Sequence, residues 1–189
     1  PRVGLLLEKN TNLKFVYSRE EDCFVPLWKR TKMANESNGI IFISFHVNSN
    51  PNKSAHGFET YLLRPGKNED AIEVASRENE VIKLEDRTYN RYQDLSGENL
   101  IMATMAQSVF LKESEELAAM IQSEMGKSVK SKNRGVKQAG FHVLIGASMP
   151  NVLIEAGFLS NRNEEKNLRN SKYRQVIANS IYKAIVKFR

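Results

Sequence analysis

Two residues invite chemistry before anything else in the chain: His46, in Ile43-Ser44-Phe45-His46-Val47-Asn48-Ser49-Asn50, and Glu155, in Pro150-Asn151-Val152-Leu153-Ile154-Glu155-Ala156-Gly157. Each stands at the carboxyl end of an apolar run that reads as a strand, and each is followed by small or polar residues. In open α/β sheets ligands bind outside the carboxyl ends of strands. His46 is therefore placed to be a metal ligand or general base, and equally to be a core histidine satisfied at a strand end. A carboxylate such as Glu155 is costly to bury unless paired or metal-bound. Beside a metal-activated water it could shuttle a proton from nucleophile to leaving group; alone, it could as well be half of a buried salt bridge.

The elements that must hold these residues can be traced along the chain. Arg2–Asn10 reads as the tail of a helix, Leu13–Ser18 alternates like a strand, and Pro26 opens a helix to about Asn35. Ile40–Val47 is a β-branched apolar run of the kind buried on both faces, and Gly57–Leu63 is a second strand. Ala71–Asp86 and Glu98–Met125 read as helices joined by the polar stretch Arg87–Gly97. Val136–Ile145 and Asn151–Glu155 are strand-like, and Ile177, Ile181, Ala184, Ile185 and Phe188 mark a closing amphipathic helix. Strands alternating with helices imply an α/β fold: a single mixed, mostly parallel sheet flanked by helices on both faces. A helical insertion at about 66–107 stands beside that core, and residues 1–189 read as one domain.

Bulk properties narrow little. Lys plus Arg number 28 and Asp plus Glu 22, a net charge of +6 that suits an acidic partner without naming it. A nucleic-acid reading would rest on charge alone, since no aromatic residues interleave with the basic run Lys127, Lys130, Lys132, Arg134 and Lys137. That run is either a solvated loop or a groove wall for carboxylates. Cys23 is the only cysteine, so no intrachain disulfide forms. No apolar run approaches the roughly 20 residues that span a bilayer. His56 reads as a surface residue in a polar loop, and His142 sits in an alternating strand pattern.

Four ordered segments together say more. Ser-Phe-His-Val-Asn-Ser, Gly57-Phe58-Glu59-Thr60-Tyr61, Arg134-Gly135-Val136-Lys137-Gln138-Ala139-Gly140-Phe141 and Val152-Leu153-Ile154-Glu155-Ala156-Gly157-Phe158-Leu159-Ser160-Asn161 resemble the zinc-dependent N-acetylmuramoyl-L-alanine amidases of the AmiA/AmiB/AmiC type. Tyr17-Ser18-Arg19 with Asp22, Leu27, Arg30 and Ala34-Asn35 fits the same pattern. The resemblance implies hydrolysis of the amide between N-acetylmuramic acid and L-alanine in peptidoglycan, at one zinc. It makes His46 a zinc ligand and Glu155 the catalytic glutamate. Asn48 and Arg134 become candidate substrate contacts.

The resemblance also implies a bacterial periplasmic or envelope protein and an activator of LytM type. The segment Ala75-Ser76-Arg77-Glu78-Asn79-Glu80 resembles an insertion that shuts the enzyme by placing a glutamate on the metal; Glu78 is the first candidate and Glu80 the second, and a solvated helix face would use the same residues. One departure stands out. The family's Gly-His-Gly-Gly turn and Glu-Lys pair, which supply two further ligands, do not occur in place here. The expectation is an N-terminally incomplete catalytic domain, inactive as it stands. The competing reading is a non-catalytic wall-binding module with an incomplete metal site.

Overall fold

The computed structural model describes residues 1–85 and 98–189. Its core is a four-stranded sheet in the order β1-β4-β2-β3 (β1 Phe42–Asn48, β2 Phe58–Leu63, β3 Asn133–Ala139, β4 Asn151–Phe158). β1 runs parallel to β4 and β2 parallel to β3, while β2 and β4 are antiparallel. The sheet is thus mixed and mostly parallel, as expected.

Alternation along the strands sorts side chains to two faces. Phe58 and Leu62 of β2 and Val152 and Ile154 of β4 join one core with helices α1 (Arg2–Asn10), α5 (Leu111–Ser128) and α7 (Ser171–Phe188). Tyr61 and Leu63 of β2 and Leu153 of β4 join the other, with α2 (Leu27–Glu36), α3 (Glu69–Asn79) and the segment Phe141–Leu144. Glu59, Tyr61 and Leu63, and likewise Leu153 and Glu155, therefore look toward α3. That parity decides where the site lies.

Four expectations are corrected. Leu13–Ser18 is irregular; Leu13 and Phe15 still pack on the first core, so the alternation reports burial without ladder pairing. The helix expected over Ala71–Asp86 ends as α-helix at Asn79 and tightens into a 3₁₀ turn over Glu80–Leu84. The helix expected over Glu98–Met125 is broken: α4 (Glu98–Ala106), a 3₁₀ turn at Ser108–Phe110, then α5. The strand expected over Val136–Ile145 ends at Ala139 and turns into a 3₁₀ segment at His142–Leu144. Arg87–Gly97 lies outside the described residues, as does Asp86.

Burial on both faces belongs to β4 rather than β1. Within β4 only Ala156 falls short of full burial, whereas β1 is an edge strand of this sheet with Phe45 48% exposed. Helix α6 (Arg162–Arg169), not anticipated, starts at the cap Asn161, whose side chain accepts from Asn163 N and Glu164 N. Its Glu164 is buried and accepts from the backbone amides of Gly57 at 2.9 Å and Phe158 at 2.7 Å, and from the Ser131 hydroxyl. One carboxylate thereby ties the start of β2 to the end of β4. Glu164→Ala leaves buried donors unmet, each costing about 1–3 kcal/mol. Urea unfolding is expected to show a loss of about 3 kcal/mol or more; a loss under about 1 kcal/mol would refute this tie.

Candidate functional site

The parallel register pairs His46 with Glu155 across β1 and β4, and the antiparallel register pairs Glu155 with Glu59 across β4 and β2. Three chemistry-bearing residues thus lie in one row on the α3 side of the sheet. Helix α3 supplies the fourth. Its N-terminus is capped by Asn68, which accepts from Ala71 N at 2.8 Å, and Glu69 and Asp70 fill its first turn, where negative charge suits the helix dipole.

The last turn of α3 delivers Arg77, Glu78 and Asn79 to the strand ends. Glu78 Oε2 lies 2.5 Å from His46 Nδ1, and Arg77 donates to the Ser49 carbonyl. Asn79 donates to the Gly140 carbonyl at 2.8 Å and accepts from His142 N at 2.9 Å, fixing the helix end to the connection after β3. His46, Glu78 and Glu155 offer one ligand atom each, all within 4.8 Å of one another.

The His46 ring is set from both sides, since its Nε2 lies 3.0 Å from Ser44 Oγ while Nδ1 faces Glu78. Such a partner on the far nitrogen fixes the orientation of a metal-ligating histidine. Glu155 is fully buried, and neither carboxylate oxygen has a hydrogen-bond partner among the described residues. Burial first, then the Glu78 and Glu59 charges, push its carboxyl up to about 9, with Arg77 pulling the other way. A buried carboxylate with both oxygens unserved is a poor structural element and a good neighbour for a cation. Imidazole nitrogen and carboxylate oxygen are donor types that zinc accepts, and His46 alone would be one of the roughly three protein ligands a catalytic zinc takes.

Next to Glu155, the buried Glu59 collects four donors. Oε1 accepts from Asn48 Nδ2 at 2.9 Å and the Tyr61 hydroxyl at 2.8 Å; Oε2 accepts from Arg134 Nε at 2.9 Å and Lys137 Nζ at 2.6 Å. Burial pushes the Glu59 carboxyl up, but the hydrogen bonds from Lys137, Arg134 and Tyr61 outweigh it and hold it below the ordinary range. A depressed folded-state value contributes stability that is present above the unfolded pKa of about 4.3 and lost as pH falls through the folded one. Acid unfolding of the wild type is expected to steepen below about pH 4, and Glu59→Gln should remove that added steepness. Superimposable pH profiles would count against it.

Of the residues singled out in the sequence, His46, Glu78 and Glu155 come together and Asn48 and Arg134 meet at Glu59. Glu80 does not join them: it pairs with Lys83 at 3.2 Å, with 62% of its side chain exposed. His56 is exposed, with its Nδ1 by the Ser54 carbonyl. His142 is buried on the 3₁₀ segment, which lowers its pKa. The basic run is divided, because Lys127 pairs with Glu124 while Arg134 and Lys137 turn onto Glu59 and Lys130 and Lys132 stay exposed. Glu59, Ser44 and Arg77 were not foreseen. A charge inside the apolar run Phe58–Leu63 was the available signal for Glu59.

Known proteins resemble this chain along nearly its whole length. A family profile described as N-acetylmuramoyl-L-alanine amidase matches residues 1–187. N-acetylmuramoyl-L-alanine amidase AmiC of Escherichia coli O6:H1 is 29% identical over 188 residues, which is 97% of this chain and 44% of that protein. AmiA of Escherichia coli K12 is 26% identical, over 95% of this chain and 62% of its own length. The chain thus spans 44% and 62% of the length of these two curated relatives. Among solved structures, an N-acetylmuramoyl-L-alanine amidase from Clostridium difficile 630 superimposes with a TM-score of 0.70 at 26% identity, covering 99% of this chain and 77% of that one. AmiC2 of Nostoc punctiforme gives 0.68 at 25% identity, covering 99% and 78%.

Proposed function

The chain belongs to the N-acetylmuramoyl-L-alanine amidase family, and from that premise we propose that it serves hydrolysis of the amide between N-acetylmuramic acid and L-alanine in peptidoglycan, with His46 as one of the roughly three protein ligands of a catalytic zinc. The observation that carries this reading is the buried, unserved carboxylate of Glu155 in register with His46. When bound, zinc supplies Lewis-acid polarisation of the scissile carbonyl and lowers the pKa of a water. His46 offers Nδ1 as one of the roughly three protein ligands such a zinc takes, and Ser44 holds the ring in place. Beside the charge of a bound cation the raised Glu155 carboxyl would return to its ionised form; as carboxylate, Glu155 takes the proton from the attacking water and returns it to the departing L-alanine nitrogen.

In this reading Glu78 is a plug rather than a resident ligand, and residues 66–107 form a regulatory insertion. With Glu78 on His46, the site is closed, and opening requires a partner that binds better once α3 is displaced. An envelope activator of LytM type would meet that need, and a peptidoglycan substrate would be met outside the cytoplasm, in the bacterial periplasm or envelope. No helix among the described residues is long and apolar enough to cross a membrane.

The test is metal analysis of the full-length protein together with release of stem peptides from purified sacculi. Zinc near one equivalent and release lost on chelation are expected. Wall binding without release would favour a non-catalytic module instead.

A further inference from the structure

The surroundings of Glu59 hold more positive charge than they need. Arg134 and Lys137 both contact Oε2 of one carboxylate, so this group carries a net charge of +1 beside Glu155. Lys137 Nζ is spent on Glu59 and lies 5.8 Å from the centroid of the Tyr61 ring. Arg134 is different, because only part of its fork is used.

Three features fix the Arg134 side chain. Its stem runs over Gly57, where an added Cβ would lie 2.9 Å from Arg134 Cγ and 3.0 Å from Cδ. Gly57 also has φ +116°, a conformation only glycine adopts readily, so the trough is built into the backbone. The guanidinium carbon lies 5.2 Å from the centroid of the Phe158 ring. Nε is committed to Glu59 at 2.9 Å, while the terminal Nη atoms have no hydrogen-bond partner among the described residues. The side chain is 21% exposed. An arginine pinned at stem, face and Nε, with its terminal edge open, is a preorganised receptor for a planar anion.

Geometry also sets the distance from the reaction. The Arg134 backbone on β3 is two strand spacings from Glu155 on β4, about 10 Å, and its side chain reaches back over β2 to Glu59, which shortens that span. An extended peptide covers such a span in two or three residues, at about 3.3–3.6 Å each. Resting on the wall-amide reading above, we propose that Arg134 binds a free carboxylate of the substrate's peptide two or three residues beyond the scissile bond, and that Glu59 is the positioning residue that presents it.

The binding test needs no metal and no turnover. Metal-free protein is titrated in 0.15 M salt with L-Ala-γ-D-Glu-L-Lys and with the same peptide carrying both carboxylates as amides. The acid form is expected to bind about tenfold tighter or more, the scale of a charge-assisted hydrogen-bonded pair. Arg134→Gln should erase that preference, Glu59→Gln should reduce it, and Lys132→Gln should leave it within about twofold, an exposed neighbouring charge with no side-chain partner among the described residues. A ratio of the two affinities is not moved by general loosening of the fold, and the wild-type comparison stands even if a variant does not fold. Equal binding of the two peptides, or a preference that survives in folded Arg134→Gln, overturns the assignment. Failure here with stem-peptide release intact would sink the arginine subsite alone, whereas absent release from sacculi would sink the amidase reading.

Discussion

Glu155→Gln is expected to lower stem-peptide release by the full-length, zinc-loaded protein by about 10²–10⁴-fold, the contribution of a positioned general acid–base group. The amide is nearly isosteric with the carboxylate, so packing around the fully buried side chain should persist. What it cannot do is accept a proton from water and give it to the leaving nitrogen. Zinc content is the discriminating companion measurement. If Glu155 is the proton carrier, the variant retains zinc near one equivalent and loses rate. Rate and zinc lost together would make Glu155 a ligand. Metal-free Glu155→Gln should also melt higher than the metal-free wild type at neutral pH, because a buried carboxyl whose oxygens have no hydrogen-bond partner among the described residues is replaced by a group that cannot ionise.

The second large effect runs the other way. Glu78→Ala should raise release in the absence of any activator by about tenfold or more, equivalent to a plug worth about 1.4 kcal/mol. The geometry argues for more than a solvated helix face. Glu78 lies 2.5 Å from His46 Nδ1, and the side chains on either side of it anchor the helix end: Arg77 on the Ser49 carbonyl, Asn79 on Gly140 and His142. With the carboxylate gone, His46 would face the site without a competing side chain, and substrate would bind without displacing one. Glu80→Ala serves as the control, since Glu80 faces solvent with Lys83 and should leave basal release unchanged. Unchanged release in Glu78→Ala removes the plug. A fall in both zinc and release would recast Glu78 as a resident ligand.

How much of this was legible in the chain depends on the range of the interaction. Periodicity carried the helices at Arg2–Asn10 and Ser171–Phe188 and the strands that end near His46 and Leu63, because a packed face imposes its period on its own residues. It misread Leu13–Ser18, where alternate residues are buried by a neighbouring core and no ladder forms. It ran one helix and one strand too far and joined two helices into one, since 3₁₀ turns at Glu80–Leu84, Ser108–Phe110 and His142–Leu144 interrupt the regular elements. Motif order carried His46 and Glu155 as partners in one site.

What the sequence by itself determined is therefore the kind of fold, the two strand-end positions and the family; these follow from local patterning and ordered motifs. Only the tertiary structure decided which glutamate of the inserted helix meets His46. Glu78 lies in the last turn of α3 and Glu80 opens the 3₁₀ turn that follows, so two steps of about 100–120° set them about 200–240° apart. One therefore faces the strands and the other solvent, and only docking α3 on the sheet reveals which. Register did the same for Glu59. An antiparallel β2–β4 pairing sets it opposite Glu155, and a parallel β2–β3 pairing brings Arg134 and Lys137 onto it. No spacing along the chain encodes that meeting, because it depends on which strands become neighbours.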